Sequence, residues 1–205
     1  MNQDLCRLLL VLLIVASGLS TGCGRHAPPP VPSAQAQDPA EEKTMTSITT
    51  TLRLTSTSIH DGQPIDDRYT GRGDNHSPQM SWQDVPAGTQ ELAILVFDPD
   101  ASGGDFVHWI VYGIPPSMNG LEVGLPTETH PDERVPLMQG RNDSGRTGYF
   151  GPMPPRGKPH HYHYRLYALD KKLNLPPNVD KGQFRQAIVG HVLAENEIIG
   201  TYQSR

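Results

Sequence analysis

An antiparallel, mostly β sandwich with one or two short helices near the C-terminus is the fold class this chain predicts. Three observations carry it. Short apolar or alternating runs recur between turn signals. Twenty Gly and twenty Pro among 205 residues leave little room for long helices. A clear helix start comes only late, at Asp180-Lys181-Gly182-Gln183, which reads as a capping box.

In chain order, Ile48 to Thr55 alternates, is rich in Thr and predicts a strand. His60-Asp61-Gly62-Gln63-Pro64 predicts a turn, Asp67 to Ser77 a polar loop, and Pro78 to Trp82 a short strand. Pro86-Ala87-Gly88-Thr89 is a further turn. Leu92 to Phe97 is a continuous apolar run stopped by Pro99, the pattern of a strand buried on both faces. Phe106 to Ile114 predicts a second buried strand. Pro115 to His130 reads as loop, with Gly120, Gly124 and Pro126. Tyr162 to Leu169 predicts another strand. The capping box opens a helix from Lys181 to about Val189, with Gly190 near its end. His191 to Asn196 is expected to form a second helical turn, and Ile198 to Tyr202 a closing strand.

Composition excludes several functions. The balance is mildly acidic and holds no basic block, so nucleic acid is not an expected partner. Both cysteines, Cys6 and Cys23, precede the folded part. That part therefore has no disulfide, zinc-thiolate site or Cys nucleophile. No phosphate-binding Gly-Lys-Ser/Thr loop, Gly-x-Ser-x-Gly elbow or dinucleotide fingerprint is present.

The N-terminus reads as an address. Arg7 precedes an apolar run from Leu8 to Leu19, too short to span a bilayer comfortably. Leu19-Ser20-Thr21-Gly22-Cys23 resembles a bacterial lipoprotein signal, with Cys23 as the lipidated residue; secretion to the periplasm and an uncleaved anchor are the alternatives. Gly24 after the cysteine favours outer-membrane sorting. Expected boundaries are a signal peptide at 1–22, a disordered Pro-rich tether at 23–46 with Pro28-Pro29-Pro30, and a domain at 47–205. The expected location is the cell envelope, lipid-anchored on the outer membrane and facing the periplasm.

Two strand mouths bring polar residues together. Asp98 and Asp100 end the buried run, and share one side if the strand persists. His108 lies within the next apolar strand. The Gly/Pro-rich segment Gly148 to Pro159 then leads to His160, Tyr162, Tyr164 and Leu166 on one strand face, with His161, His163 and Arg165 on the other. Asp98, Asp100, His108, His160 and Tyr162 are the candidate pocket residues. Imidazoles and a phenol can donate hydrogen bonds to an anion. No activated nucleophile accompanies them, so binding is expected rather than catalysis, with a metal-dependent or acid-base enzyme as the lesser alternative. His161-x-His163 has a spacing that can hold a metal, but the pocket face offers only two histidines. No metal and no cofactor is expected.

Taken together these segments resemble the phosphatidylethanolamine-binding protein family, in particular its bacterial, Raf kinase inhibitor-like branch. Asp61-Gly62, Pro64-Ile65, Tyr69 and Asn75-His76-Ser77-Pro78 to Trp82 match its opening region. Asp98-Pro99-Asp100-Ala101 and His108-Trp109 resemble a first signature. Gly140-Arg141-Asn142-Asp143, Gly148-Tyr149, Gly151-Pro152, Pro154-Pro155, Gly157 and His160-x-Tyr162 resemble a second, and Gly190-His191-Val192-Leu193-Ala194 to Tyr202 the C-terminus. The resemblance implies a β-sandwich whose small anion pocket is lined by Asp98, His108, His160 and Tyr162 and walled by Pro154 and Pro155. It implies phosphate-like anions or phospholipid head groups as ligands. A protein target, as for an inhibitor of a protease or kinase, is the alternative, and a homodimer stays open. Ser102 stands where the family usually has Pro, and Met153 where it has a smaller residue.

Lipidation of Cys23 predicts that Cys23→Ser leaves the membrane fraction and loses the mass of the acyl groups. Fractionation and intact mass check this; equal partitioning, with masses differing only by the substitution, would contradict it.

Overall fold

The computed structural model describes residues 51–205. Cys6, Cys23, the signal, the tether and residues 48–50 of the first expected strand lie outside the described residues. A five-stranded antiparallel sheet forms the centre. Its order is β6 (Met138–Gln139), β4 (Phe106–Ile114), β3 (Glu91–Asp98), β7 (His160–Leu169) and β8 (Val192–Tyr202). A smaller sheet of β1 (Arg53–Thr55), β2 (Met80–Gln83) and β5 (Gly120–Leu121) forms a second layer, and helix α1 (Lys181–Ile188) a third.

Every residue of β3 is buried. Its alternate side chains feed two cores, as period-two geometry requires. Leu92, Ile94 and Val96 pack with Leu54, Met80 and Trp82 of the small sheet. Ala93, Leu95 and Phe97 face Val179, Phe184 and Ile188 around the helix. Each such buried Leu, Ile or Val contributes about 1.5–3 kcal/mol over its exposed state, which holds the strand's register against both layers. The helix begins as expected: the Gln183 amide donates to Asp180 Oδ1 at 2.9 Å, and the Asp180 amide to Gln183 Oε1 at 3.0 Å. It ends before Gly190, whose φ of 76° is the left-handed conformation that stops a helix.

The structure corrects the C-terminal reading. His191 to Asn196 is not a second helical turn. Val192 already starts β8, and Ala194, Glu195 and Asn196 pair with Ala168, Tyr167 and Leu166 of β7. The local helix preference of Leu193, Ala194 and Glu195 yields to cross-strand pairing along nearly the whole of β7. Among the described residues the first strand covers Arg53–Thr55 and leaves out Thr51 and Leu52, and the 115–130 loop contains the small strand β5.

At the opposite end of β3 from Asp98, Glu91 is buried at 4 % exposure. Its Oε1 accepts the Gly113 amide at 2.8 Å and its Oε2 the Leu173 amide at 2.9 Å. Burial raises its pKa above the ordinary carboxylate value. Glu91→Ala should orphan both amides and lower stability by about 2–4 kcal/mol, measured as a fall in the urea midpoint; an unchanged midpoint would show that water replaces the carboxylate.

Candidate functional site

The end of β3 and the start of β7 lie side by side, because Phe97 pairs with His163. Asp98 is 3 % exposed, and its Oδ2 accepts Nδ1–H of His160 at 2.7 Å. Its Oδ1 accepts the Asp100 amide at 2.8 Å, which closes the turn after the strand. His108, on β4, donates Nδ1–H to the Phe150 carbonyl at 2.5 Å, while the Phe150 amide donates to the His108 carbonyl at 2.9 Å. A carbonyl and a carboxylate only accept, so these bonds place the ring hydrogen on Nδ1 of both histidines. Nε2 of each ring has no partner among the described residues.

A cavity of about 340 Å³ opens here, lined by Asp98, His108, His160, Tyr162, Pro154 and Pro155 together with Ala101, Ser102, Phe106, Ser144, Phe150 and Met153. The His108 ring lies parallel to Phe150 at 5.8 Å and edge-on to Tyr162 at 5.2 Å. Tyr162 is fully buried; its hydroxyl lies near Asp98 but makes no hydrogen bond within 3.5 Å among the described residues. Burial, with the nearby Asp98 charge, pushes that hydroxyl far above its usual pKa, so it keeps its proton. Burial likewise lowers the His108 pKa, since desolvation disfavours the cation.

The Pro154 wall is tied from behind. Asn75, held at φ 57°, accepts the Gly151 amide on its side chain at 2.7 Å. The Gly71 amide donates to the Pro152 carbonyl at 3.0 Å. Buried Ser204 donates to the Pro154 carbonyl and accepts from Arg72 Nε at 3.0 Å. Gly151 is required for this approach: a Cβ there would lie 2.5 Å from the Tyr69 carbonyl oxygen.

Asp100 is the one candidate that the structure takes out of the pocket. The strand ends at Asp98, and Pro99 turns the chain, so the period-two argument stops applying. Asp100 is exposed and accepts both the main-chain amide and Nδ1–H of His161, at 2.9 and 2.8 Å. The His161 hydrogen bond holds its carboxyl below the usual range. His163, on the strand face away from the pocket, is half-buried. It stacks on Phe97 at 4.9 Å and bonds Glu197 at 3.2 Å. Phe106 and Phe150 were missed. Phe106 was findable, since it lies two residues before His108 on the same face of β4; Ser144 had no signal.

A second cavity, about 400 Å³, lies at the Glu91 end of β3 and is lined by Tyr112, Ile114, Pro136 and Leu175 among others. Its buried polar groups are satisfied: Glu91 as described, and the Tyr112 hydroxyl by the Pro176 carbonyl at 2.8 Å. The 340 Å³ cavity instead keeps an unpaired buried hydroxyl and two free ring nitrogens, which is the condition of a site prepared for something else. Among the described residues no three His, Cys, Asp or Glu side chains are grouped to hold a metal.

The family model described as phosphatidylethanolamine-binding protein matches residues 55–203. The chain belongs to that family. A UPF0098 protein of Methanothermobacter thermautotrophicus is 43 % identical over 153 residues, covering 74 % of this chain and 99 % of its own. A Mycobacterium tuberculosis protein whose name calls it a lipoprotein, LppC, is 38 % identical over 198 residues, covering 96 % of this chain and 92 % of its own. The crystal structure of Escherichia coli YbcL, described as a member of the mammalian PEBP family, superposes with a TM-score of 0.70 at 31 % identity, covering 75 % of this chain and 99 % of that one. The homologue CT736 of Chlamydia trachomatis gives a TM-score of 0.68 at 34 % identity, covering 77 % and 100 %. The antiparallel β architecture is that of these family members.

The lowered His108 pKa carries a sign. The unfolded ring binds its proton near pH 6.5, the folded ring only at lower pH. Between those two values the unfolded state holds more protons, so stability falls as pH drops below 6.5. The slope from this group is at most about 1.4 kcal/mol per pH unit. Urea denaturation at pH 5.5 and 7 should show a smaller loss in His108→Gln than in wild type; equal losses would mean that His108 is not the group responsible.

Proposed function

We propose that this chain is a cell-envelope binding protein for phosphate-bearing ligands, including phospholipid head groups, and that Asp98, His108, His160, Tyr162 and the Pro154–Pro155 wall form its binding site. The observation that carries the reading is the Tyr162 hydroxyl. A buried polar group without a partner costs about 1–3 kcal/mol, and here it lines a cavity beside two unpartnered ring nitrogens. A ligand oxygen in the cavity would accept from it. His160, backed by Asp98, can present a cationic Nε2–H to the same ligand, with the carboxylate neutralising the ring. The rings of Phe106 and Phe150, 6.2 Å apart, line the same cavity and lower the polarity around these bonds.

The envelope location is supported by the lipoprotein-like Cys23 sequence and by the similarity to LppC, which runs over nearly the whole chain. Lipidation of Cys23 and an outer-membrane position facing the periplasm complete the proposal. The domain would then sample head groups at a membrane surface.

Calorimetric titration with O-phosphoethanolamine tests the site. Tyr162→Phe should weaken binding roughly ten- to a hundredfold while leaving the melting temperature of the free protein unchanged or higher, because it removes an unsatisfied hydroxyl. His160→Ala should weaken binding by a similar factor, and His161→Ala should leave it within about twofold. Retained affinity in both Tyr162→Phe and His160→Ala, or loss in His161→Ala, would place the site elsewhere.

A further inference from the structure

The hydrogen-bond capacity of the cavity is lopsided. Both histidines have committed Nδ1–H, one to the Phe150 carbonyl and one to Asp98. What they offer the cavity in their neutral forms is two Nε2 lone pairs. Tyr162 supplies one donor. A ligand bearing only acceptors would meet two lone pairs with its own oxygens.

The two rings do not resolve this in the same way. His160 has a carboxylate on Nδ1, so a proton added at its Nε2 creates a paired cation. His108 has only a neutral carbonyl there and is 3 % exposed. The charged groups around it are Asp98 from β3, Asp143 from the loop after β6, and His160 from β7; the two acids favour a charged ring, while desolvation and a charged His160 oppose it. Desolvation is the largest of these effects, so His108 stays an acceptor. Its Nε2 then needs a donor, and that donor has to come with the ligand.

We infer that the site selects a singly protonated phosphomonoester, whose P–OH donates to His108 Nε2 while its ionised oxygens accept from His160 and Tyr162, over a phosphodiester, which has no such hydrogen. This rests on the anion-binding reading above and narrows its ligand class. A phosphomonoester can be a soluble compound or the head of a lipid such as phosphatidic acid, and the chemistry at the cavity is the same. The second ionisation of a phosphomonoester lies near pH 6, so above that pH complex formation takes up at least one proton.

The test is calorimetric titration of the full chain, carrying Cys23→Ser, with methyl phosphate and with dimethyl phosphate at pH 6 and 8, in buffers of different ionisation enthalpy. Methyl phosphate should bind at least tenfold tighter than dimethyl phosphate. Its affinity should fall as pH rises from 6 to 8, with uptake of at least one proton at pH 8. His108→Gln offers an amide that can donate or accept, so it should shrink the preference severalfold, whereas Tyr162→Phe should weaken both ligands about equally. Equal binding of the two phosphates, or a preference unchanged in His108→Gln, overturns the selectivity and leaves the anion site standing. Binding of neither overturns both readings. A dispersed short-chain phosphatidic acid distinguishes the sources: affinity tenfold above methyl phosphate marks a lipid ligand, and equal affinity a soluble one, with the monoester preference supported in both cases.

Discussion

Asp98 has to end a strand that is buried on both faces, and a carboxylate in that position is costly unless its oxygens are bonded. The structure meets the requirement with one bond backward and one bond across. The Asp100 amide closes the turn, and His160 Nδ1 ties the end of β3 to the start of β7. That second bond orients the His160 ring, leaves its Nε2 without a partner and places a negative charge behind it. The Phe97–His163 register and the depth of Tyr162 in the same sheet make the arrangement repeatable, because a one-residue slip would exchange Tyr162 for His161. The site is thus a consequence of the sheet's register as much as of its residue types.

Much of this was legible in the chain. The run Leu92 to Phe97 has no polar residue, and its short length and the Pro99 stop fit a strand covered on both faces. The Asp180–Gln183 capping box located the helix start, since both its bonds are local. Non-local pairing was not legible. Leu193, Ala194 and Glu195 favour a helix alone, and only the ten-residue partner β7 turns them into strand. Asp100 was misplaced for a related reason: alternation is a property of a strand, and the strand ends two residues earlier. The grouping of Asp98, His108, His160 and Tyr162 came from their positions at two strand mouths. The tautomers of the two histidines could not be read there, because they depend on a carbonyl forty-two positions from His108 and a carboxylate sixty-two from His160.

The two ends of β3 use the same residue type to different effect. Glu91 takes an amide on each oxygen, one from Gly113 and one from Leu173, and stitches a loop and a bulged strand to the sheet. Asp98 takes only one amide and gives its other oxygen to a ring whose far nitrogen remains open. A carboxylate saturated by backbone is a brace. One shared with a histidine fixes the tautomer and the orientation of the ring.

The sheet also has to end somewhere, and it ends at β8. Half of that strand's outer rim is occupied by the chain's own residues 62 to 65: the Gly62 and Ile65 amides donate to the Ile199 and Thr201 carbonyls, and the Thr201 amide to the Gln63 carbonyl. Nearer its start the rim is interrupted by a bulge opposite Ala168 and Leu169, and by Asn196, whose side chain takes the Leu54 amide. Open strand edges recruit further strands and seed aggregates. Many copies held on one membrane would be crowded far beyond their concentration in free solution, and a flat unpaired edge would then be a hazard. In molecules anchored as proposed, the strap across β8 would keep that part of the edge from joining another sheet.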